Sequence, residues 1–245
     1  MKISIIIVHW NTPDELKTQI AKLKLQKDVE IVVVDNNSEE HPSWIKKQFE
    51  NIRLIQNTKN LGFAAACNQG AKIAKGEWLL FLNPDVSIGE KDIFQMVEYA
   101  EKHKIDACSP QTTNESYKKP LPTPLTLLVE FSFLKRLIPL TLFRVKTLTG
   151  GCLLIRYEVF KKIKGWDEQF FLWFEDSDLT KRLIGNNYRV GWIPVTIKHK
   201  GGLSIERLSW TEQKKLFFQS MNLYSQKHFS YFGKIIIKLV TTLNV

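Results

Sequence analysis

Glu77-Trp78-Leu79-Leu80-Phe81-Leu82-Asn83-Pro84-Asp85 decides how this chain is read. A continuous apolar run bounded by Gly76 and by Asn-Pro-Asp predicts a strand over 77–82, buried on both faces and ending at a turn. Pro84 fixes the turn's backbone and cannot continue strand pairing, so the side chains of Asn83 and Asp85 stand where a sheet ends. Oxygen ligands at a strand's carboxyl end suit Mg²⁺ or Mn²⁺ carrying a diphosphate. Taken alone the tripeptide is more simply an ordinary solvated turn, and its surroundings must decide.

Upstream, Ile3–Val8 is a β-branched run, too short before His9 for the apolar core of a leader peptide, and reads as the first strand. Thr12-Pro13-Asp14-Glu15 then predicts a capped helix to about residue 26, with Thr12 and Glu15 as a capping box. Val29–Val34 repeats the buried-strand signature and ends at Asp35-Asn36-Asn37-Ser38. A helix over 44–49, a strand over 52–56 and a helix opening at Asn60-Leu61-Gly62-Phe63 follow. Strands alternating with helices at this spacing predict right-handed crossovers and a mainly parallel central sheet flanked by helices, with ligands beyond the carboxyl strand ends. Asp35, Asn83 and Asp85 all fall on that edge.

Downstream, Ile93–Lys102 reads as an amphipathic helix and Asp106–Pro110 as a short strand. From Thr112 to Phe143, four prolines punctuate an apolar, weakly basic stretch without a clean period, which predicts either a lid or greasy contact surface or a second-layer core segment. Leu148–Ile155, carrying Gly150-Gly151, reads as a strand with close backbone approach, and Tyr157–Ile163 as a helix. Gly165–Phe174 is an aromatic cluster leading into Glu175, Asp176 and Asp178. A helix from Asp176 to about Ile184 accounts for one or two of these acids at its start, but so much like charge needs a further compensating role. Short strands over 188–193 and 196–199 lead to His199, Gly202 and Ser204. After Trp210 one helical face carries Phe217, Met221, Tyr224, His228, Tyr231, Ile235 and Leu239 among lysines.

With 245 residues, 44% of them hydrophobic, the chain can bury a large core and is not disordered. Its formal net charge of +10 predicts attraction to polyanions: nucleic acid, an anionic membrane surface or phosphorylated substrates. The three cysteines lack metal-type spacing and suit buried thiols in a reducing compartment, hence a cytoplasmic protein. Glu130, Lys135, Arg136 and Lys238 interrupt the most apolar stretches, so no spanning helix is expected.

Together these residues resemble the family 2 glycosyltransferases of the GT-A fold, particularly the bacterial rhamnosyltransferase-like branch that builds cell-surface polysaccharides, over roughly residues 3–204. The resemblance rests on Val34–Ser38, Asn60–Phe63 with Asn68 and Gly70, Asn83-Pro84-Asp85 as an Asp-x-Asp variant, Thr149-Gly150-Gly151, Gly165–Glu168, Glu175–Leu179, and His199 with Gly202 and Ser204. It implies a GT-A domain over 1–204, with a nucleotide-sugar half to about 111 and an acceptor half over 112–204. A helical, basic and aromatic segment over 205–245 would follow. It further implies an inverting enzyme that uses Mg²⁺ or Mn²⁺ and moves a hexose such as rhamnose from a dTDP- or UDP-linked donor to a saccharide or lipid-linked acceptor. Asp35 would bind the pyrimidine base, and Asn60 joins the donor-binding set. Asp85, with Asn83 and His199, would hold the metal and diphosphate, while Gly151 would let a sugar lie close to backbone. Asp176, or alternatively Glu175, would be the catalytic base. Asn83 replaces the first acid of the strict Asp-x-Asp pattern and removes one anionic ligand.

The residues make the same demand chemically: a Lewis acid for the leaving group, and one carboxylate for the acceptor's proton on the far side of the anomeric carbon. A dinucleotide enzyme or nucleotidyltransferase would need a glycine-rich phosphate loop after a strand, and none is present. The competing reading is a non-enzymatic basic module that binds anionic lipid or nucleic acid; under the enzyme reading nucleic acid is not a partner. Phe217, Met221 and Tyr224 are expected to pack on the catalytic domain. Tyr231–Leu243 is expected to dock on the inner face of a membrane or on a second copy of the chain, with 120–143 as the other candidate for membrane contact.

Overall fold

The structure, a computed structural model, describes residues 2–23, 28–49, 51–113, 118–201 and 205–244. The expected continuation of the first helix to residue 26, and Gly202 and Ser204, lie outside them.

β1 (Ile3–His9) pairs in parallel with β2 (Val29–Asp35) on one side and β4 (Trp78–Leu82) on the other, and β2 pairs in parallel with β3 (Ile52–Gln56), giving the order β3-β2-β1-β4. The crossovers are α1 (Pro13–Lys22), α2 (Trp44–Gln48) and α3 (Phe63–Ile73). Period-two alternation divides each strand between two apolar layers. Ile3, Ile5, Ile7, Trp78 and Leu80 enter one cluster, while Ile6, Leu79 and Phe81 enter the other. Every residue of β4 is buried, as a strand covered on both faces requires. Truncating one such side chain to alanine typically costs about 2–5 kcal/mol. Thr12 does not form the expected capping box, because its hydroxyl lies 3.1 Å from His9 Nδ1 instead.

Beyond β4 the sheet becomes mixed. β7 (Cys152–Arg156) runs antiparallel to β4 and to β6 (Ala107–Thr112), and β8 (Val190–His199) is parallel to β6. The parallel expectation therefore describes the first four strands. The strand expected over 148–155 begins only at Cys152, after the Gly150-Gly151 turn. The two short strands expected over 188–199 are the single strand β8, across which the register to β6 shifts between Pro110 and Gln111. A two-residue strand, β5 (Val86–Ser87), was not expected from the sequence; it pairs antiparallel with β8, Val86 opposite His199. Helices α4 (Glu90–Lys102), α6 (Tyr157–Lys162) and α7 (Glu175–Gly185) complete the layers.

The proline-rich stretch is not structureless. It holds helix α5 (Pro124–Glu130), whose N-terminus Thr123 caps through its hydroxyl, and two 3-10 turns over Phe133–Arg136 and Leu140–Leu142. The C-terminal helix breaks at Phe229-Ser230 into α8 (Trp210–His228) and α9 (Tyr231–Asn244). Leu127, Phe170, Phe174, Met221, Tyr224, Ile237 and Val240 form a third apolar cluster. Met221 and Tyr224 thus pack inward as expected, with Phe217 against them. Because of the break, Tyr231, Ile235 and Leu239 do not continue that face and stand exposed.

Candidate active site

Parallel register brings the carboxyl ends of β1, β2 and β4 together, with His9 opposite Asp35 and Leu82 opposite Ile7, so the turn after Leu82 lies beside them. A cavity of about 260 Å³ opens at this edge, lined by Trp10, Asn36, Asn60, Asn83, Asp85 and Phe171 among others. Asn60 sits in a polar web: its Oδ1 accepts from Asn36 Nδ2 at 2.7 Å and from Gly62 N at 2.9 Å. Gly62 has φ +85°, and a Cβ there would lie 2.6 Å from the Phe171 carbonyl oxygen, so only glycine fits this entry to α3. Asp35 is wholly buried at the end of β2 and does not line the cavity; its carboxylate accepts from Ser38 N at 3.0 Å and meets His41 Nδ1 at 2.5 Å. His9 is buried beside it, and burial lowers its pKa to about 4, with Asp35 opposing and Arg207 reinforcing the shift.

The β5–β8 pairing places His199 Nε2 3.3 Å from Asp85 Oδ1, while Asp85 Oδ2 accepts from Gly201 N at 3.0 Å. Gly151 lies against this pair. A Cβ there would come 2.8 Å from His199 Cε1 and 3.2 Å from Asn83 Nδ2, and the Gly151 carbonyl accepts from Asn83 N at 2.9 Å. His199 and Asn83 therefore close directly on the Gly151 backbone, where a methyl group would collide with the imidazole. Among the described residues no three His, Cys, Asp or Glu side chains gather at metal-binding distances. The donor set is one carboxylate, one imidazole and one amide, which suits Mn²⁺ or Mg²⁺ completed by substrate oxygens rather than a closed protein cage.

Across the Gly150-Gly151 turn lies a second cavity, of about 480 Å³, lined by Lys119, Thr126, Glu130, Trp173, Glu175, Asp176 and Phe217 among others. A Cβ on Gly150 would lie 3.2 Å from Phe63 Cε1 on one side and 3.7 Å from Asp176 Cβ on the other. Trp173 and Phe174 both have φ 65°, a left-handed conformation that costs bulky residues about 1–2 kcal/mol each. Ser220 Oγ, donating to Leu172 O at 2.7 Å, and tilted ring contacts of Phe174 with Phe217 and Tyr224 hold them there. The strained pair turns the chain so that Glu175 and Asp176 open α7 at the cavity wall.

The three acids are not equivalent. Glu175 is buried, its Oε2 has no hydrogen-bond partner among the described residues, and burial with the adjacent Asp176 charge lifts its pKa to about 8. Burial raises Asp176 too, but the backbone N–H groups of Ser177 and Gly150 and the charge of Lys119 oppose the rise. Asp178 points away into the fold. Burial works against its charge, yet His228 Nε2 at 2.7 Å and Arg182 Nε at 2.7 Å outweigh it and leave the pKa lowered. The third carboxylate thus ties α7 to α8 and needs no chemistry. Asn36, Lys119 and His41 were given no role from the sequence. Asn36 lies within the Val34–Ser38 stretch, whereas nothing local marks Lys119.

The α/β sheet, with Asn83, Asp85 and His199 on one side of a Gly-Gly turn and the buried Glu175 and half-buried Asp176 on the other, defines a GT-A glycosyltransferase. The chain belongs to glycosyl transferase family 2, whose profile matches residues 4–164. That of the N-terminal domain of galactosyltransferase matches residues 141–209. The low-salt glycan biosynthesis hexosyltransferase Agl10 of Haloferax volcanii is 27% identical over 239 residues, covering 93% of this chain and 76% of that one. The N-acetylglucosaminyl-diphospho-decaprenol L-rhamnosyltransferase of Mycobacterium tuberculosis is 25% identical, covering 79% and 72%. The mannosyltransferase PcManGT of Pyrobaculum calidifontis, solved with GDP-Man and Mn²⁺, superposes with TM-score 0.63 at 16% identity, over 99% of this chain and 69% of that one.

Proposed function

We propose that this glycosyltransferase is inverting and metal-dependent, and that it moves a hexose from a nucleotide diphosphate donor to a saccharide carried on a lipid, in cell-surface polysaccharide synthesis. One observation carries the reading: a carboxylate–imidazole–amide set and an ionisable acid face each other across a turn with no side chains. Asp85, His199 and Asn83 would hold Mg²⁺ or Mn²⁺, which when bound supplies positive charge against the departing diphosphate. Asn60 and Asn36 position the donor in the smaller cavity, and Gly151, lacking a side chain, lets His199 and Asn83 close on the backbone beside it. Asp35 would reach the base once His41 gives up its contact, so His41 belongs to the donor side of the site.

The acceptor occupies the larger cavity. Its hydroxyl oxygen attacks the anomeric carbon as the bond to the diphosphate oxygen breaks, the electron pair leaves on the diphosphate, and the hydroxyl proton passes to Asp176. A single displacement with no covalent enzyme intermediate inverts the anomeric centre. Glu175, whose pKa burial lifts to about 8, keeps its proton at neutral pH, and Asp176, which the Ser177 and Gly150 N–H groups and Lys119 face, is the base we assign. The name of the rhamnosyltransferase relative supports rhamnose as the first hexose to test, and we propose dTDP or UDP as its carrier. The nucleotide half would end near residue 111, the acceptor half near 204, and the helical segment from 205 would brace the acceptor side. Among the described residues no helix is long and apolar enough to cross a membrane. Three buried free thiols and the basic surface support work on the cytoplasmic face of a membrane, in peripheral contact with it. The test is a sugar-nucleotide panel with Mn²⁺ and saccharide acceptors, read by product mass and by anomeric proton coupling. A transferred sugar of inverted configuration is expected; a retained configuration, or unchanged turnover in chelator, would overturn the mechanism.

A further inference from the structure

Two segments far apart in sequence, both carrying large apolar side chains exposed to solvent, lie side by side. The first contributes Leu125, Phe133, Leu137, Leu142 and Val145, with Phe133 75% exposed. The second is the outer stripe of α9: Tyr231, Ile235, Leu239 and Leu243 recur every fourth residue, Phe232 stands beside them, and Leu243 is 83% exposed. The opposite stripe of α9, Gly233, Ile237 and Val240, is buried. Helices α5 and α9 pack on each other; Gly233 admits Pro124, whose Cγ would lie 2.8 Å from any Cβ there, and Asn244 Nδ2 donates to Phe131 O at 3.4 Å. Elsewhere among the described residues large exposed apolar side chains are single, at Phe171, Ile184 and Trp210. Exposed apolar side chains gathered on two segments joined through the α5–α9 packing mark an interaction site.

Charge identifies what the surface meets. Residues 118–146 hold six Lys and Arg against one acid, Glu130, and residues 230–244 add Lys234 and Lys238 with none. That is seven of the chain's net ten positive charges on 44 of its 245 residues. A second copy would bring like charge against like, whereas an anionic bilayer neutralises it while taking up the apolar stripe. We propose that the 3-10 turns after α5 and the outer face of α9 form one seat that docks on an anionic membrane surface. The inner residues of α5, Thr126, Leu127 and Glu130, wall the larger cavity, so a saccharide on a lipid carrier would enter from the docked side. That last step rests on the acceptor reading proposed above; the docking does not.

The experiment is flotation of the full chain with phosphatidylglycerol-containing or pure phosphatidylcholine vesicles, alongside sedimentation velocity and donor hydrolysis in solution. The wild type should float with the anionic vesicles only. F133E/L137E and I235E/L239E should each reduce the bound fraction at least tenfold with donor hydrolysis kept, since none of these residues lines either cavity. K135Q/R136Q, which leaves the apolar groups in place, should reduce it by roughly 25-fold, from about fivefold for each cation lost near an anionic surface. Loss on one segment only would overturn the single seat. Equal binding to neutral vesicles would overturn the charge argument. A dimer that I235E/L239E dissociates, with no flotation, would give the surface to a second copy. Flotation without any donor hydrolysis would instead sink the enzymatic reading and leave the docking standing.

Discussion

Glu175→Gln replaces a carboxyl that the fold holds protonated with a neutral side chain of the same shape, so its effect on stability should contain a part that varies with pH. In the unfolded chain Glu175 releases its proton near 4.5, and in the fold near 8. Between those values the folded state binds the extra proton, so wild-type stability is fully present below pH 4.5 and falls as pH rises to 8. Each pH unit across that window is worth about 1.4 kcal/mol. The accumulated loss is on the order of 2 kcal/mol at pH 6 and 5 kcal/mol at pH 9, and the variant escapes it. Relative to wild type, Glu175→Gln should therefore gain about 3 kcal/mol between pH 6 and 9, or roughly 6–12 °C in Tm for a chain of this size. Any constant effect of the substitution cancels in that difference. Thermal unfolding of both proteins in matched buffers at pH 6, 7, 8 and 9 reads it directly. Parallel Tm curves would mean that the fold does not raise the Glu175 pKa, and the division of roles between Glu175 and Asp176 would fall with it.

Asp176→Asn should leave donor affinity within about threefold by calorimetry while transfer falls by ~10²-fold or more; equal loss in Glu175→Gln alone would move the base one residue back. Asp85→Ala should abolish the Mn²⁺ dependence of donor binding, because Asp85 is the anionic member of its ligand set. An unchanged requirement would reject the metal assignment. Gly151→Ala brings a methyl within 2.8 Å of His199 Cε1, so the imidazole must shift; donor binding in Mn²⁺ should weaken at least tenfold at a stability cost of about 1–3 kcal/mol, and unaltered titrations would show that the position of His199 does not matter to the donor. His228→Ala removes one of two partners of the fully buried Asp178 carboxylate. At pH 7, well above the lowered pKa of Asp178, that partner's contribution is fully present, so stability should drop by about 1–3 kcal/mol in denaturant titration. A smaller loss would mean that Arg182 alone suffices.

Local chemistry was enough to place the strand ends. Buried runs at 3–8, 29–34 and 77–82 are too apolar to lie anywhere but inside, and each stops at polar residues, so Asp35, Asn83 and Asp85 had to share one sheet edge. The order and spacing of short motifs, each weak alone, then pointed to the family. The sequence did not show what depends on non-local pairing. Strand β5 is two residues long and has no period, yet its antiparallel pairing with β8 brings His199 to Asp85 across more than a hundred residues. Three carboxylates within four positions look alike in a string of letters. They separate only because backbone strain at Trp173-Phe174 aims two at a cavity, while His228 and Arg182 claim the third. The continuous face of the C-terminal helix was misread for the same reason: periodicity runs through Phe229-Ser230, but the helix breaks there and turns Tyr231, Ile235 and Leu239 outward. A local pattern specifies which side of an element is apolar, and only tertiary packing decides which apolar side is covered.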